Sequence, residues 1–128
     1  MFKGIVLIIL MFTLAETVKA EDVRLDCLSL DRTLRVDLDL SEDRGIEGNM
    51  IVRDLNTGYF SSTYLTRVHN CFSSEYCFIG RDRFYNFDVA VPKEVFKKID
   101  LKTSLAGLTA RHRRTFQYLR YTLSCYVW

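Results

Sequence analysis

The sequence predicts an all-β domain of about eight antiparallel strands, and three features of the chain carry that prediction. Apolar and polar residues alternate along several segments, as they do in strands with one buried and one solvated face. Turn residues separate these segments at short intervals, without repeats or long linkers. Four cysteines, an even number, favour two disulfide bonds. Such a meander closes as a small up-and-down barrel or folds as a two-layer sandwich, and we predict the barrel.

Residues 1–20 have the plan of a secretory signal peptide. Lys3 provides the basic amino-terminal region, an apolar run follows over 5–14, and the residues before Glu21 end in Ala20, which signal peptidase accepts. The apolar run is about half as long as a helix that spans a bilayer. We therefore expect cleavage after Ala20, a single disulfide-linked β domain over 21–128, and no stable membrane insertion.

The clearest strand pattern lies in residues 33–40, where leucine and valine share one face and charged residues share the other. The segment 23–30 precedes it across a two-residue turn at Asp31-Arg32. The same reasoning predicts eight strands, over residues 23–30, 33–40, 45–55, 59–69, 77–80, 84–91, 102–110 and 115–128.

The connections between these strands are predicted from turn and helix signals. Residues 41–45 form a polar loop, Gly48 predicts a bulge, and Asn56-Thr57-Gly58 is the strongest turn signal in the chain. Pro92 ends a strand because it lacks an N–H donor. The segment 92–99 then predicts one short helix, with proline at its start, an early acid, late lysines and an apolar stripe.

The cysteine positions favour one of three possible pairings. Cys27 and Cys125 lie on the inward faces of the first and last strands, so a bond between them would close a barrel. Cys71 and Cys77 bracket five residues, and their bond would hold a local loop. In an exported chain an even cysteine count indicates disulfides, with four free thiols as the alternative.

Charge is distributed unevenly along the domain. Residues 21–56 contain 10 acidic and 5 basic residues, whereas residues 57–128 contain 5 acidic and 11 basic ones. This asymmetry either produces a dipolar surface that steers a charged partner or is neutralised where the two halves of a barrel meet. Because the mature domain has a net charge near zero and is expected to be exported, we predict no nucleic-acid partner.

The sequence contains no pattern typical of a catalytic or metal site. Its two histidines, His69 and His112, match no zinc-ligand spacing, and no nucleophile or phosphate-loop motif is present. Asp37 and Asp39 share a strand face that we expect to be solvated. We therefore predict a protein that is not an enzyme and needs no cofactor or metal.

Three segments are candidates for binding. Arg111, His112, Arg113 and Arg114 are expected to project from a turn and to attract an anionic polymer or an acidic protein. A disulfide-held loop carrying Phe72 and Tyr76 would present rigid aromatic anchors, unless both rings cover the end of the barrel. A third group of rings shares the outer face of the last strand, where it would bind a partner or lie under the short helix; its members are Phe116, Tyr118, Tyr126 and Trp128.

An exported β-barrel of this size, with a bond from first to last strand, resembles the small bacterial periplasmic lysozyme inhibitors in its plan. Their inhibitory loop motif of serine and glycine is not evident here, so no residue role carries over. The leading hypothesis is a non-catalytic binding protein of the bacterial periplasm or extracellular space, with an unknown protein or anionic polymer as partner. The alternative is a small-molecule-binding barrel whose interior, lined by Tyr85, Phe87 and Tyr121, leaves a pocket.

Overall fold

A computed structural model describes residues 22–41, 47–69, 71–97 and 102–128 of the chain. Within these ranges, eight strands form one closed antiparallel barrel in which each strand pairs with the next and the last pairs with the first. The barrel is therefore confirmed in place of the sandwich. Its strands are β1 (Asp22–Ser29), β2 (Leu34–Ser41), β3 (Glu47–Asp54), β4 (Phe60–Val68), β5 (Glu75–Arg81), β6 (Tyr85–Pro92), β7 (Thr103–His112) and β8 (Tyr118–Val127).

The alternation in the sequence decides which side chains fill the barrel. In β2 the side chains from Leu34 to Leu40 are buried at every second position, and the intervening residues face outward. Burial of these apolar side chains supplies the main driving force for closing the sheet. The largest fully buried side chains come from all eight strands and include Leu25, Leu38, Met50, Leu65, Phe78, Val89, Leu108 and Leu123.

Both predicted disulfides are present. Cys27 and Cys125 face each other in the register of β1 and β8, and the bond between them closes the barrel inside the core. Cys71 and Cys77 are joined across the loop before β5. Two disulfides favour a non-reducing environment for the folded protein. No helix in the described ranges has the length and hydropathy needed to cross a membrane.

The predicted helix over 92–99 is a single 3₁₀ turn, η1 (Lys93–Phe96), and residues 98–99 lie outside the described ranges. Pro92 still pairs with Glu75 in the sheet, and the backbone is extended again at Lys97. Too few residues remain for an α-helix, because short helices gain little from their own hydrogen bonds. The turn instead buries Val95 and Phe96 against the core.

The bulge predicted at Gly48 is not present. Gly48 continues the ladder, facing Leu40 on β2 and Leu65 on β4. A Cβ atom there would lie 2.6 Å from Leu40 Cδ2 and 2.9 Å from the carbonyl oxygen of Asp39. The glycine therefore permits close packing of β3 on β2. The predicted turn at 56–58 is confirmed, with a positive φ at Gly58. Of the predicted loop at 41–45, Ser41 is still the last residue of β2, and residues 42–45 lie outside the described residues.

The two ends of the barrel differ. At one end, which we call the open end, the connections are residues 30–33, 55–59, 82–84 and 113–117. The opposite end is covered by η1, whose Phe96 ring packs edge-on against Tyr76 with 5.1 Å between centroids. Among the described residues, η1 and Tyr76 therefore fill the interior at this end.

Candidate functional site

A cavity of about 280 Å³ lies at the open end of the barrel, and we call it the mouth cavity. Its floor is apolar and consists of the buried residues Leu34, Val52, Phe87, Leu108 and Ala110. Its polar lining consists of Asp54, Thr57, Tyr59, Tyr85 and Tyr121. The three interior rings named from the sequence, Tyr85, Phe87 and Tyr121, therefore do line a pocket. Leu119 lies at its edge and is partly exposed.

The tyrosines of the mouth cavity are held in place by neighbouring rings and a carboxylate. Tyr85 packs edge-on against Tyr59, with 5.7 Å between ring centroids, and against His112, with 5.2 Å. The Tyr59 hydroxyl donates a hydrogen bond to Asp82. Burial and this bond both raise the pKa of Tyr59, so its hydroxyl stays protonated and remains a donor. These contacts fix the ring positions before any ligand binds.

Carboxylates lie close to the tyrosine hydroxyls of the mouth cavity. Burial is the main cause that raises the pKa of the Tyr121 hydroxyl, and the nearby carboxylates of Asp54 and Asp31 raise it further. Asp54 Oδ1 accepts hydrogen bonds from the backbone N–H groups of Asn56 and Thr57, at 2.9 and 3.0 Å. The Asp54 carboxylate is thus oriented by its own turn.

A second site, which we call the basic rim, lies beside the mouth cavity. Arg83 and Phe84 from the β5–β6 turn and Arg113 and Arg114 from the β7–β8 turn surround a hollow of about 360 Å³, together with His112. The two turns are tied together, because the Arg113 N–H donates to the carbonyl of Phe84 at 2.8 Å. Among the described residues, no carboxylate lies within ion-pair distance of these three arginines. Their charges therefore remain available to a partner.

The four residues predicted to project from one turn have different positions. Arg113 and Arg114 lie in the turn and are exposed, whereas Arg111 and His112 still belong to β7. Arg111 faces outward with its guanidinium 6.0 Å from the ring centre of Tyr118. His112 Nδ1 accepts hydrogen bonds from the N–H groups of Arg114 and Thr115, both at 3.2 Å. The histidine therefore shapes the turn that presents the arginines.

The loop between Cys71 and Cys77 lies at the η1 end, so the structure separates it from the basic rim. Phe72 is 76% exposed. Tyr76 is half-buried against Phe96, and the guanidinium of Arg67 lies 4.2 Å from the centre of its ring. Of the two predicted anchors, only Phe72 projects into solvent, while Tyr76 helps to cover the end of the barrel.

Phe72 and Arg111 lie at opposite ends of a depression on the outer face of β4 to β7, which we call the outer groove. It consists of two hollows of about 600 Å³ each that share Ile79 and Asp88. The outer groove forms a depression between β6 and β7 because the cross-strand neighbours there, Ala90 and Gly107, have little or no side chain. Nothing on the described surface identifies what would occupy the outer groove.

The predicted aromatic face of β8 is exposed. Tyr118, Tyr126 and Trp128 are 57%, 66% and 75% accessible, so η1 does not cover them. Phe116 is also exposed but precedes β8, in a turn where its φ is +58°. The strand predicted from residue 115 begins at Tyr118 because the turn extends further.

Several residues of the two candidate sites were not predicted from the sequence. Arg83 contributes to the basic rim, and Asp54 and Tyr59 contribute to the mouth cavity. A usable signal did exist, because in an up-and-down barrel every second connection lies at the same end. Arg83 and the 113–117 turn occupy such connections, and their proximity follows from counting strands.

Comparisons with known proteins provide no assignment for this barrel. No family model, no curated protein and no solved structure matches the chain. The function must therefore be inferred from the two sites at the open end.

Proposed function

We propose that the chain is an exported binding protein without catalytic activity, and that its basic rim binds an anionic partner. The observation that supports this most directly is the position of Arg83, Arg113 and Arg114, three exposed arginines without a carboxylate partner among the described residues. A concentration of positive charge on two rigid turns attracts anionic groups and orients them. Arginine also binds carboxylate, phosphate or sulfate groups through paired hydrogen bonds.

The rim is preorganised for such a contact. Arg113 donates from Nη1 to the carbonyl oxygen of Asp82 at 3.0 Å, and Arg83 lies 5.8 Å from the ring centre of Phe84. Side chains that are already oriented lose less conformational entropy on binding. The partner is an anionic polymer or an acidic protein surface. The two disulfides and the signal-peptide plan of residues 1–20 support the exported location that we propose.

The test compares two triple variants that remove equal charge. One changes Arg83, Arg113 and Arg114 to Ala, and the control changes Arg35, Arg53 and Arg120, which are exposed on the barrel wall. Each protein is applied to immobilised heparin and eluted with salt, and each is used to capture partners from the native secretion compartment. We expect loss of retention and capture for the rim variant only. Equal behaviour of both triple variants would contradict the rim as the binding site.

A second candidate function is the binding of a small molecule, and the mouth cavity is the observation that favours it. An eight-strand barrel has an interior wide enough either to be filled by side chains or to hold one small ligand. Here the η1 end is filled and the open end is not. A soaked or titrated ligand that perturbs only residues around the mouth cavity would support this function.

A further inference from the structure

The mouth cavity differs from the basic rim in its chemistry. Within the described part of the chain, Asp54 is the only charged residue that lines it, and no lysine, arginine or histidine does. Three half-buried tyrosine rings stand around the same space. The face of an aromatic ring carries negative charge density. The rings and the carboxylate therefore favour the same kind of ligand, one with positive charge.

The Asp54 carboxylate is suited to receive a cation. Its Oδ1 is held by two backbone N–H groups of the 55–57 turn, whereas no described residue donates a hydrogen bond to Oδ2. One oxygen therefore fixes the group, and the other is left for a ligand. A carboxylate that is already oriented gives charge and direction without ordering a flexible side chain.

The size and floor of the mouth cavity restrict the ligand further. Its volume of about 280 Å³ is near the lower limit of pockets that hold drug-sized molecules, roughly 300 Å³. The floor is formed by aliphatic side chains and Phe87. A ligand that matches this lining is small and carries alkyl groups next to its charge.

We propose that the mouth cavity binds a small organic cation, a protonated amine or a quaternary ammonium group, between its three tyrosine rings and Asp54. Recognition of such groups by several aromatic faces is an established use of cation–π attraction. This inference rests on the second candidate function, small-molecule binding, and it is independent of the basic rim.

The test uses three probes of similar size and shape that differ in charge. Tetramethylammonium is the cation, tert-butanol is the neutral probe and pivalate is the anion. Each is titrated into the ¹⁵N-labelled mature protein, and amide shifts are followed. We expect tetramethylammonium to bind most tightly, with shifts concentrated in the 54–59 segment and at Tyr85 and Tyr121.

Two pairs of variants connect the binding to the residues. Tyr121→Leu is expected to weaken tetramethylammonium binding roughly three- to thirtyfold, while Tyr126→Leu, on the outer face of the same strand, leaves it unchanged. Asp54→Asn is expected to weaken it about fivefold, while Asp88→Asn, on the outer face of β6, does not. In Asp54→Asn, the asparagine side chain retains an oxygen that can accept the backbone hydrogen bonds of the turn. Urea unfolding confirms that each of the four variants is folded.

Each outcome has a definite meaning. If tert-butanol binds in the mouth cavity as tightly as tetramethylammonium, the cavity binds small molecules but the preference for cations is wrong. If no probe shifts these residues, the small-molecule function and the inference both fail. If all variants respond alike, the cation binds elsewhere and the assigned site is overturned.

Discussion

The hydroxyl of Tyr59 donates a hydrogen bond to the carboxylate of Asp82 across the strand pair with the shortest ladder among those described. Strands β4 and β5 are paired over three positions, from Thr66 with Ile79 to Val68 with Cys77. Beyond these positions, towards the open end, the backbone ladder is missing. The bond between Tyr59 and Asp82 therefore ties the connection before β4 to the connection after β5.

We predict that Tyr59→Phe lowers the free energy of unfolding by about 1.5–3 kcal/mol, the typical contribution of a hydrogen bond to a charged group. The ring and its contacts with Tyr85 are retained, so the loss isolates the hydroxyl. Urea unfolding measures the effect, and Tyr126→Phe, with an exposed hydroxyl, is the control. A double-mutant cycle with Asp82→Asn should show coupling, and additive losses would contradict the tie.

The same bond predicts how stability depends on pH. Burial raises the pKa of Asp82, but hydrogen bonds from Tyr59, Ser61 and the backbone outweigh it and lower the pKa overall. The stability that the ionised Asp82 carboxylate contributes is thus present above its unfolded pKa of about 4. This stability is lost as the pH falls through the lower pKa that Asp82 has in the folded protein. The pKa of Tyr59 is raised, so the stability that its protonated hydroxyl contributes is complete below about pH 10. This stability is lost as the pH rises further, through the pKa of the folded state. In urea unfolding at increasing pH, Tyr59→Phe should show a smaller alkaline loss of stability than the wild type, and the loss that remains reflects the raised pKa of Tyr121.

We predict that Asp37→Asn stabilises the protein at neutral pH. Asp37 faces Asp26 directly across β1 and β2, and like charges in this position are destabilising by roughly 0.2–1 kcal/mol. Burial, then the hydrogen bond and charge of Asp26, raise the pKa of Asp37. The folded protein therefore holds this proton more tightly than the unfolded chain does, and stability falls as pH rises from about 4.

Thermal unfolding at several pH values tests this prediction. Asp37→Asn should have a higher Tm than the wild type at pH 7, and the difference should vanish under acid conditions. Asp39→Asn is the matched control, because Asp39 lies on the same face of β2 but opposite Arg24. A gain for Asp37→Asn that is equal at all pH values would show that the carboxylate pair is not its cause.

We predict unequal effects from removing the two disulfides. The bond between Cys27 and Cys125 spans 98 residues and that between Cys71 and Cys77 spans 6. Loop entropy then gives a loss of about 4–5 kcal/mol for the paired alanine change at the first bond and about 2 kcal/mol at the second. Urea unfolding measures both, and equal losses would contradict an entropic origin.

We predict opposite behaviour for the two aromatic residues of the Cys71–Cys77 loop. Phe72→Ala should change stability by less than about 0.5 kcal/mol, as is usual for exposed side chains. Tyr76→Ala should cost about 2–4 kcal/mol, because it removes the ring that packs on Phe96 at the η1 end. Thermal and urea unfolding distinguish them. Comparable losses would mean that Phe72 also packs on the protein.

Local sequence patterns by themselves determined which segments of this protein form strands and which side chains of each strand point into the barrel. Alternation over 33–40 predicted an inward row of Leu and Val because successive side chains in a strand point to opposite sides. The inward parity of Cys27 and Cys125 predicted the bond that closes the barrel. These inferences succeed because they depend on neighbours two residues apart and on the pairing of two chain ends.

Only the tertiary structure decided how distant segments meet. Gly48 fits the close approach of Leu40 rather than a bulge, and 93–96 forms a single 3₁₀ turn because it covers the end of the barrel. The same structure packs the Tyr59 ring edge-on against Tyr85. Such proximities depend on the closure and register of eight strands. A periodic pattern identifies the face on which a side chain lies, but it carries no information about which distant side chain it will meet.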